Sequence, residues 1–220
     1  EVALVSPHGI PVEVHHSLEP TGRTFPTRAI MERAERVAIW KEDWLVPSTA
    51  DLVPYIAFHH AHHRWSRLHW VVDLTMVMRH PDFDRDEALR CAAGFGVRRI
   101  TEAAMDLPEC LAAKVEGRPS GAVSSLAGEF AAECVAFLED AERSDVSRPS
   151  GSKSARIGDL AADSRRTWVL HDRPGAKLRT LFEPVSPKIA DYLAWPLPPK
   201  RHWLYWAARP VRLVFGRRRS

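Results

Sequence analysis

The amino-acid sequence predicts an α+β protein, with a small sheet in residues 1–47 and a mostly α-helical body after Ser48. At the start of the chain, "EVALVSPHGIPVEVHHSL" alternates apolar and polar residues on both sides of a turn, which is the pattern of a β-hairpin. After Ser48, apolar residues recur at helical spacing, in segments separated by Pro, Gly and polar stretches. Hydrophobic residues make up 45% of the chain and charged residues 27%, as in a globular protein with a buried core.

Three short elements are expected in residues 1–47. The first hairpin turns at Pro7 to Gly9, because both Pro and Gly favour turns. Further on, "PTRAIMERAER" predicts a short helix after Pro26. The stretch "VAIWKEDWLVPS" then predicts a second hairpin that turns around Lys41 to Asp43.

The helical body is expected to cover residues 48–142. Ser48 or Thr49 can cap a helix that runs into "AFHHAHHRWSRLHWVVD", since Ser and Thr oxygens accept from free helical N–H groups. A further helix is predicted over about Trp65 to Met78, and Pro81 breaks it.

Three more helices follow. Asp82 or Asp84 is expected to cap "RDEALRCAAGFG", and Gly94 and Gly96 to end it. The stretches "VRRITEAAMDLPECLAA" and "SSLAGEFAAECVAFLEDAE" predict two amphipathic helices.

The C-terminal part of the chain is predicted to be a separate segment. Residues 143–153 form a polar, Pro- and Gly-containing linker, and residues 154–220 a helical segment with a basic tail. Within that segment, "FEPVSPKIADYLAWPLPP" predicts a turn-rich connector. A basic helix from about Lys200, interrupted at Pro210, is expected to end the chain.

Cysteine usage and hydropathy indicate a cytoplasmic protein. Cys91, Cys110 and Cys134 are odd in number, lie in apolar helical stretches and form no CxxC pair, as expected of buried thiols in a reducing compartment. The sequence contains no signal peptide and no apolar run long enough to span a bilayer. Since it begins at Glu1, inside an alternating stretch, we expect its N-terminus to be cut.

The histidine stretch has two interpretations. His59 and His63 are four residues apart, the spacing at which two imidazoles on one helix reach the same metal ion, and Asp73 continues near that face. A metalloprotease helix, however, needs Glu after the first His, and His60 stands there. We therefore favour a polar and aromatic helix crossing, with His60 and His62 facing solvent or a cleft.

The order of these residues resembles the uncharacterised nucleotidyltransferase family. "VEVHHSL" resembles that family's strand, through Val12, Glu13 and His15, and the histidine stretch resembles its helical segment. The matching positions of the helical segment are His59, His63, Trp65, Arg67, Leu68, Trp70 and Asp73. "LFEPVSPKIADYL" and "WAARPVRLVFG" are similar to the family's C-terminal end.

This resemblance implies Mg²⁺-dependent transfer of a nucleoside monophosphate from a nucleoside triphosphate (NTP) to an acceptor. In such a fold, two carboxylates in a DxD strand and a third on a neighbouring strand hold the metal, because Mg²⁺ prefers oxygen ligands. Residues 1–47 are then the C-terminal part of the sheet subdomain, and Glu13 is the third carboxylate, acting as metal ligand and catalytic residue. The wall of the nucleotide or acceptor site is implied to include His15, His59, His63, Arg67 and Asp73.

The sequence departs from this family at its start. The Gly-Ser turn that grips the triphosphate, and the DxD strand, belong before Glu13. Asp82 to Asp84 spell DxD but lie downstream at a helix start, where Asp is an ordinary cap. Gly151-Ser152 lies in the polar linker. We therefore expect this chain to be the C-terminal part of such an enzyme and inactive alone.

Two other classes of function remain open. A helical metal phosphohydrolase of the HD kind is suggested by the adjacent pair His171-Asp172, which His59, His63 and Asp73 could join, although the order of the motifs is wrong. A module that binds an anionic membrane surface or nucleic acid is suggested by the tail. Its aromatic residues lie among the basic residues Lys200, Arg201, Arg209, Arg212, Arg217, Arg218 and Arg219. For the tail we favour the simpler expectation that the aromatics pack and the arginines stay solvated.

Overall fold

The computed structural model confirms the α+β class, with short antiparallel strands followed by helices. It describes residues 2–14, 17–19, 23–119, 121, 123–143, 166–182, 186–187, 191–192 and 195–215. In chain order the elements are β1 (Val2–Val5), β2 (Pro11–Val14), α1 (Thr27–Glu32), β3 (Glu35–Ile39), β4 (Glu42–Val46), α2 (Thr49–His62), α3 (Leu68–Met78), α4 (Arg85–Phe95), α5 (Arg98–Val115), α6 (Ser125–Arg143), α7 (Pro174–Phe182), a 3-10 turn (Pro199–Arg201) and α8 (Leu204–Phe215).

The described strands form two separate antiparallel hairpins, β1–β2 and β3–β4. In the first hairpin Ala3 lies opposite Glu13. The second hairpin turns at Trp40 and Lys41, whose φ angles of 50° and 74° are left-handed, as a two-residue turn with the twist of the strands requires. This turn begins one residue before the predicted position.

The core is built around α2, α4 and α5. Small side chains at the contacts, such as Ala57 of α2, Ala92 of α4 and Ala104 of α5, are fully buried and let the helices approach closely. Phe25, which precedes α1, packs edge-on against Phe58 of α2 at 5.4 Å between ring centroids. This contact ties the N-terminal elements to the helical body.

The structure selects among the predicted caps. Ser48 Oγ accepts from the backbone N–H of Asp51 at the start of α2. Asp84 Oδ1 accepts hydrogen bonds from the backbone N–H groups of Asp86 at 2.8 Å and Glu87 at 3.0 Å, and so caps the start of α4. Gly96, with a φ of 77°, ends α4, whereas Gly94 lies inside that helix.

Two predicted helices have wrong bounds. The histidine stretch bends after His62, where Arg64 and Trp65 take left-handed φ angles of 61° and 49°, so α3 begins at Leu68 and not at Trp65. Asp73 therefore does not continue the helical face of His59 and His63. The last helix was predicted to break at Pro210, but α8 runs through it. A proline inside a helix removes one backbone hydrogen bond, yet α8 continues beyond Pro210 to Phe215.

The predicted buried thiols are found. All three cysteines are free, Cys110 and Cys134 are buried, and Cys91 is half-buried. Burial raises the pKa of each thiol, which keeps it protonated and unreactive. None of the helices that the structure describes is long and apolar enough to cross a bilayer.

The chain forms two compact units. The first comprises Glu1–Gly151 together with Leu170–Asp172, and the second Ser152–Val169 together with Arg173–Ser220. The predicted linker, apart from Arg143, lies outside the described residues. The domain boundaries drawn from the sequence stay a prediction.

Within the first unit, residues 170–172 pack beside α2 and α5. Leu170 is buried, and the ring of His171 lies 5.4 Å from that of Phe58. The N–H of Asp172 donates to the carbonyl of Gly96 at 2.8 Å, and its carboxylate accepts from the N–H of Arg99 at 3.3 Å. Asp172 thus satisfies a free N–H group at the start of α5.

In the second unit, the start of α8 holds the Pro-rich segment. The hydroxyl of Tyr205 donates to the carbonyl of Trp195 at 2.6 Å and accepts from the N–H of Leu197 at 2.8 Å. Arg209 binds both carboxylate oxygens of Asp191 at 3.1 and 3.2 Å. A buried tyrosine and a largely buried ion pair therefore fix this part of the chain.

Candidate functional site

Imidazole and indole rings meet where α2 ends and α3 begins. His60 stacks on Trp70, with ring centroids 4.8 Å apart and planes 10° apart, and meets Trp65 edge-on at 5.4 Å. Trp65 is fully buried and also packs on Phe130 of α6 at 5.9 Å. We call the residues of this junction the His–Trp cluster: His59, His60, His63, Trp65, Arg67 and Trp70.

His60 is the buried imidazole of the cluster. It was predicted to face solvent or a cleft, which is wrong, since only 7% of its surface is exposed. It points inward because the helix bend brings both Trp65 and Trp70 into contact with its ring. His62, for which the same prediction was made, is exposed.

Burial sets the chemistry of His60. Burial and, to a smaller extent, the neighbouring charges of His59, His69 and His63 together lower the pKa of His60 to about 3, although a backbone hydrogen bond with Trp70 acts in the opposite direction. The ring is therefore neutral at pH 7. His60 Nδ1 and Trp65 Nε1 are both buried, and among the described residues neither has a hydrogen-bond partner.

His59 and His63 form the exposed side of the cluster. Their ring centroids are 4.8 Å apart, and both rings lie near Trp70, at 6.4 and 5.8 Å. The spacing suits two ligands of one metal ion, as the sequence indicated. Within the described ranges, however, no three His, Cys, Asp or Glu side chains are arranged to hold a metal ion.

Arg67 completes the cluster. It precedes α3, is exposed, and places its guanidinium carbon 5.8 Å from the ring centroid of Trp70, within the range of a cation–π contact. Asp73 follows Trp70 by one turn of α3 and is exposed. The structure therefore brings Arg67, His59 and His63 together around one indole.

The remaining predicted site residues divide into two groups. The backbone of Glu13 lies in β2, but its side chain, like the whole of His15, is outside the described residues, so both assignments stay predictions. Asp82 to Asp84 do not form a strand pair of carboxylates, because Asp84 caps α4 while Asp82 is exposed beside His80. Gly151-Ser152 is outside the described residues.

The pair His171-Asp172 has structural contacts in this fold. The imidazole packs on Phe58 and the carboxylate binds the start of α5. In the part of the chain that the structure describes, the HD interpretation therefore finds no three-ligand metal site.

The basic tail is only partly described. Arg209 is not a solvated charge, because its guanidinium pairs with Asp191 and only 13% of its side chain is exposed. The side chain of Arg212 and all of Arg217 to Arg219 lie outside the described residues. The expected packing of the aromatics holds for Tyr205 and is wrong for Trp203 and Trp206, which are exposed.

Comparison with known families assigns the chain. Residues 3–113 match the model of a family described as uncharacterised nucleotidyltransferase, which is half of the chain. The protein therefore belongs to that nucleotidyltransferase family, as its sequence motifs indicated. The matched span contains both hairpins apart from Val2, α1 to α4, most of α5 and the whole His–Trp cluster. Comparisons with curated proteins and with solved structures found no match.

Proposed function

We propose that this protein takes part in the Mg²⁺-dependent transfer of a nucleoside monophosphate from an NTP to an acceptor. The observation that supports this is the family match over residues 3–113, which coincides with the N-terminal elements and the His–Trp cluster. A cytoplasmic location fits the proposal, since the three free thiols suit a reducing compartment.

Glu13 is the proposed metal ligand. A carboxylate is a hard oxygen donor and so suits Mg²⁺, which would neutralise phosphate charge and align the acceptor hydroxyl with the α-phosphate. Glu13 lies in β2, the strand that resembles the family's third carboxylate position. One carboxylate does not make a two-metal centre, so we propose that residues 1–220 alone do not turn over.

The His–Trp cluster is the proposed wall of the nucleotide or acceptor site. Its exposed side presents the guanidinium of Arg67 and the imidazoles of His59 and His63, groups that can donate to phosphate oxygens. The ring of Trp70 lies near all three of these groups and is stacked on neutral His60. Packing therefore fixes the indole against which Arg67 is oriented.

Nucleotide binding tests this wall. Titration of residues 1–220 with MgATP, MgGTP, MgCTP and MgUTP, followed by calorimetry, is expected to show binding of at least one NTP. Arg67→Ala should weaken that binding about tenfold, since a charge-assisted hydrogen bond is lost. The matched control is Arg79→Ala, which removes another exposed arginine at the C-terminal end of α3. This variant should bind NTP as wild type does. Equal affinities for both variants would contradict the role of Arg67.

Turnover tests the metal site separately. Pyrophosphate release from each MgNTP by residues 1–220 is expected to stay at background, and measurable release would contradict our proposal that they are inactive alone.

The coding DNA immediately upstream of Glu1 provides the second test. If it encodes a Gly-Ser turn and a DxD strand in frame, the extended protein should turn over, and Glu13→Gln should reduce its rate about 100-fold or more. An in-frame start codon without those motifs would contradict the catalytic role of Glu13.

A further inference from the structure

The charge of this chain is unevenly distributed. From Tyr192 to Ser220 the sequence contains seven Lys or Arg and no Asp or Glu. Because the whole chain carries a net charge of +3, the residues before Tyr192 carry −4. The same 29 residues hold three tryptophans, Trp195, Trp203 and Trp206.

All three indoles are exposed, although the backbone that carries them is held in place. Trp195, Trp203 and Trp206 expose 54%, 66% and 54% of their surface. The hydroxyl of buried Tyr205 bonds to the carbonyl of Trp195, which joins the Pro-rich segment to the start of α8. His202 Nε2 adds a hydrogen bond to the carbonyl of Leu197 at 3.0 Å. These contacts fix the backbone around the indoles and leave the rings in water.

Helical spacing separates the two sides of α8. Trp203 and Trp206 are one turn apart and exposed, whereas Tyr205 and Arg209, also one turn apart, lie on a neighbouring side, where Tyr205 is buried and Arg209 binds Asp191. The sequence after Trp206 contains further apolar residues, among them Ala207, Leu213 and Val214. Basic residues flank this stretch, with Lys200 and Arg201 before it and Arg217 to Arg219 after it.

We propose that the tryptophan side of α8 binds the surface of a membrane that contains anionic phospholipids. Indole rings favour the boundary between headgroups and acyl chains, and lysines and arginines beside them are attracted to anionic headgroups. A nucleic acid fits less well, because the bases would need a series of aromatic platforms, whereas the sequence after Trp206 continues with aliphatic residues such as Leu213 and Val214. The helix lies on the bilayer surface and does not cross it.

Vesicle binding tests the role of the tryptophans. The 220-residue chain is mixed with vesicles of phosphatidylcholine alone, or with about 30% phosphatidylglycerol, and sedimented. We expect binding to the anionic vesicles only, with a partition coefficient about tenfold lower for Trp203→Ser/Trp206→Ser, since two exposed indoles no longer enter the interface. The matched control is Trp40→Ser/Trp44→Ser, which removes two exposed tryptophans from the second hairpin and should bind as wild type.

Charge variants test the role of the tail. Arg217→Gln/Arg218→Gln/Arg219→Gln should lose about fivefold in partition for each arginine at the anionic surface. A control that replaces three exposed arginines of the first unit, Arg36, Arg79 and Arg90, by Gln should retain binding. Quenching of tryptophan fluorescence by brominated acyl chains, lost in the Trp203/Trp206 variant, would support insertion of these rings.

Three results would overturn the proposal. These are equal binding to neutral and anionic vesicles, unchanged binding of both the tryptophan and the tail variants, and binding of single-stranded RNA without binding of vesicles. The tryptophan and tail variants lie outside residues 3–113, so a failure here leaves the proposed nucleotidyl transfer untouched.

Discussion

At the scale of single residues, His60 combines an ordinary side chain with an unusual environment. Its neighbours at His59 and His63 are exposed, whereas its own ring is buried in contact with two tryptophans and has a pKa of about 3. Neutral His60 can stack on Trp70 without carrying a charge into the interior, which would be costly. Adjacent histidines in one stretch therefore have different roles, which depend on the face of α2 that each occupies.

The depressed pKa of His60 predicts how stability varies with pH. Between the unfolded value of 6.5 and the folded value of about 3, the unfolded chain binds a proton that the folded protein excludes. The stability is therefore complete above pH 6.5 and falls as the pH drops through this window. Between pH 7 and pH 4.5 the contribution of His60 to this loss is on the order of 2 kcal/mol.

Urea unfolding at both pH values measures this effect. His60→Phe keeps an aromatic ring but removes the titrating group, so its stability should fall less than that of wild type between pH 7 and pH 4.5. The control His62→Phe alters an exposed histidine and should retain the full loss. Equal losses in wild type and His60→Phe would refute the assignment.

Two substitutions at Trp65 distinguish the effect of ring packing on stability from that of an unpaired buried N–H group. The Trp65 Nε1–H group is buried and has no hydrogen-bond partner among the described residues. Phenylalanine lacks this polar group. Trp65→Phe should change the free energy of unfolding by less than about 2 kcal/mol, because the loss of ring volume is offset by removal of the unpaired N–H. Trp65→Ala leaves a cavity and should cost about 3–5 kcal/mol. Chemical denaturation compares the two variants, and similar costs for both would contradict this account.

At the scale of secondary-structure elements, substitutions at Asp84 and Asp82 distinguish the role of a helix cap from that of a metal ligand. It accepts from two free N–H groups at the start of α4, so Asp84→Ala should lower stability by about 1 kcal/mol. The neighbour Asp82 is exposed and does not cap the helix, so Asp82→Ala should change stability by less than about 0.5 kcal/mol. Neither substitution should change Mg²⁺-dependent NTP binding in calorimetry. A loss of that binding in both variants would show that the Asp82–Asp84 pair is a metal site after all.

Elements governed by local chemistry were predictable from the sequence. Both hairpins and the candidate caps Ser48 and Asp84 depend on residues close in sequence, and the structure contains them all. The bend between α2 and α3 was not predictable, because no Gly or Pro marks it. Arg64 and Trp65 adopt left-handed backbone angles, while burial of the Trp65 indole against α6 compensates for that strain.

The same distinction applies to the candidate site. The spacing of His59 and His63 predicted that their rings would meet, because a helix places residues four apart on one face. The burial of His60 depends on α3 folding back over α2, which no local pattern encodes. The ion pair of Arg33 with buried Asp51, 2.7 Å apart, was also missed, because its partners come from different elements.

At the scale of the whole molecule, the family match and the first compact unit end at different residues. The match ends at residue 113, whereas the first unit extends to Gly151 and regains residues 170–172 from later in the chain. Those three residues bury Leu170 and supply the carboxylate of Asp172 to the start of α5. The stability of the first unit therefore depends on residues well beyond the span that defines the family.

This return of the chain predicts that residues 1–151 are less stable alone than within the full chain. The fragment lacks the fully buried Leu170 and the contact of Asp172 with α5, so it should unfold at a lower urea concentration.

In the full chain, Leu170→Ala should cost about 2–5 kcal/mol, because it opens a cavity in the first unit. Asp172→Ala should cost about 1 kcal/mol, as the loss of a helix cap does. Lys177→Ala, in α7 of the second unit, is the control and should leave the unfolding of the first unit unchanged. If the fragment and the full chain unfold at the same urea concentration, residues 170–172 do not stabilise the first unit.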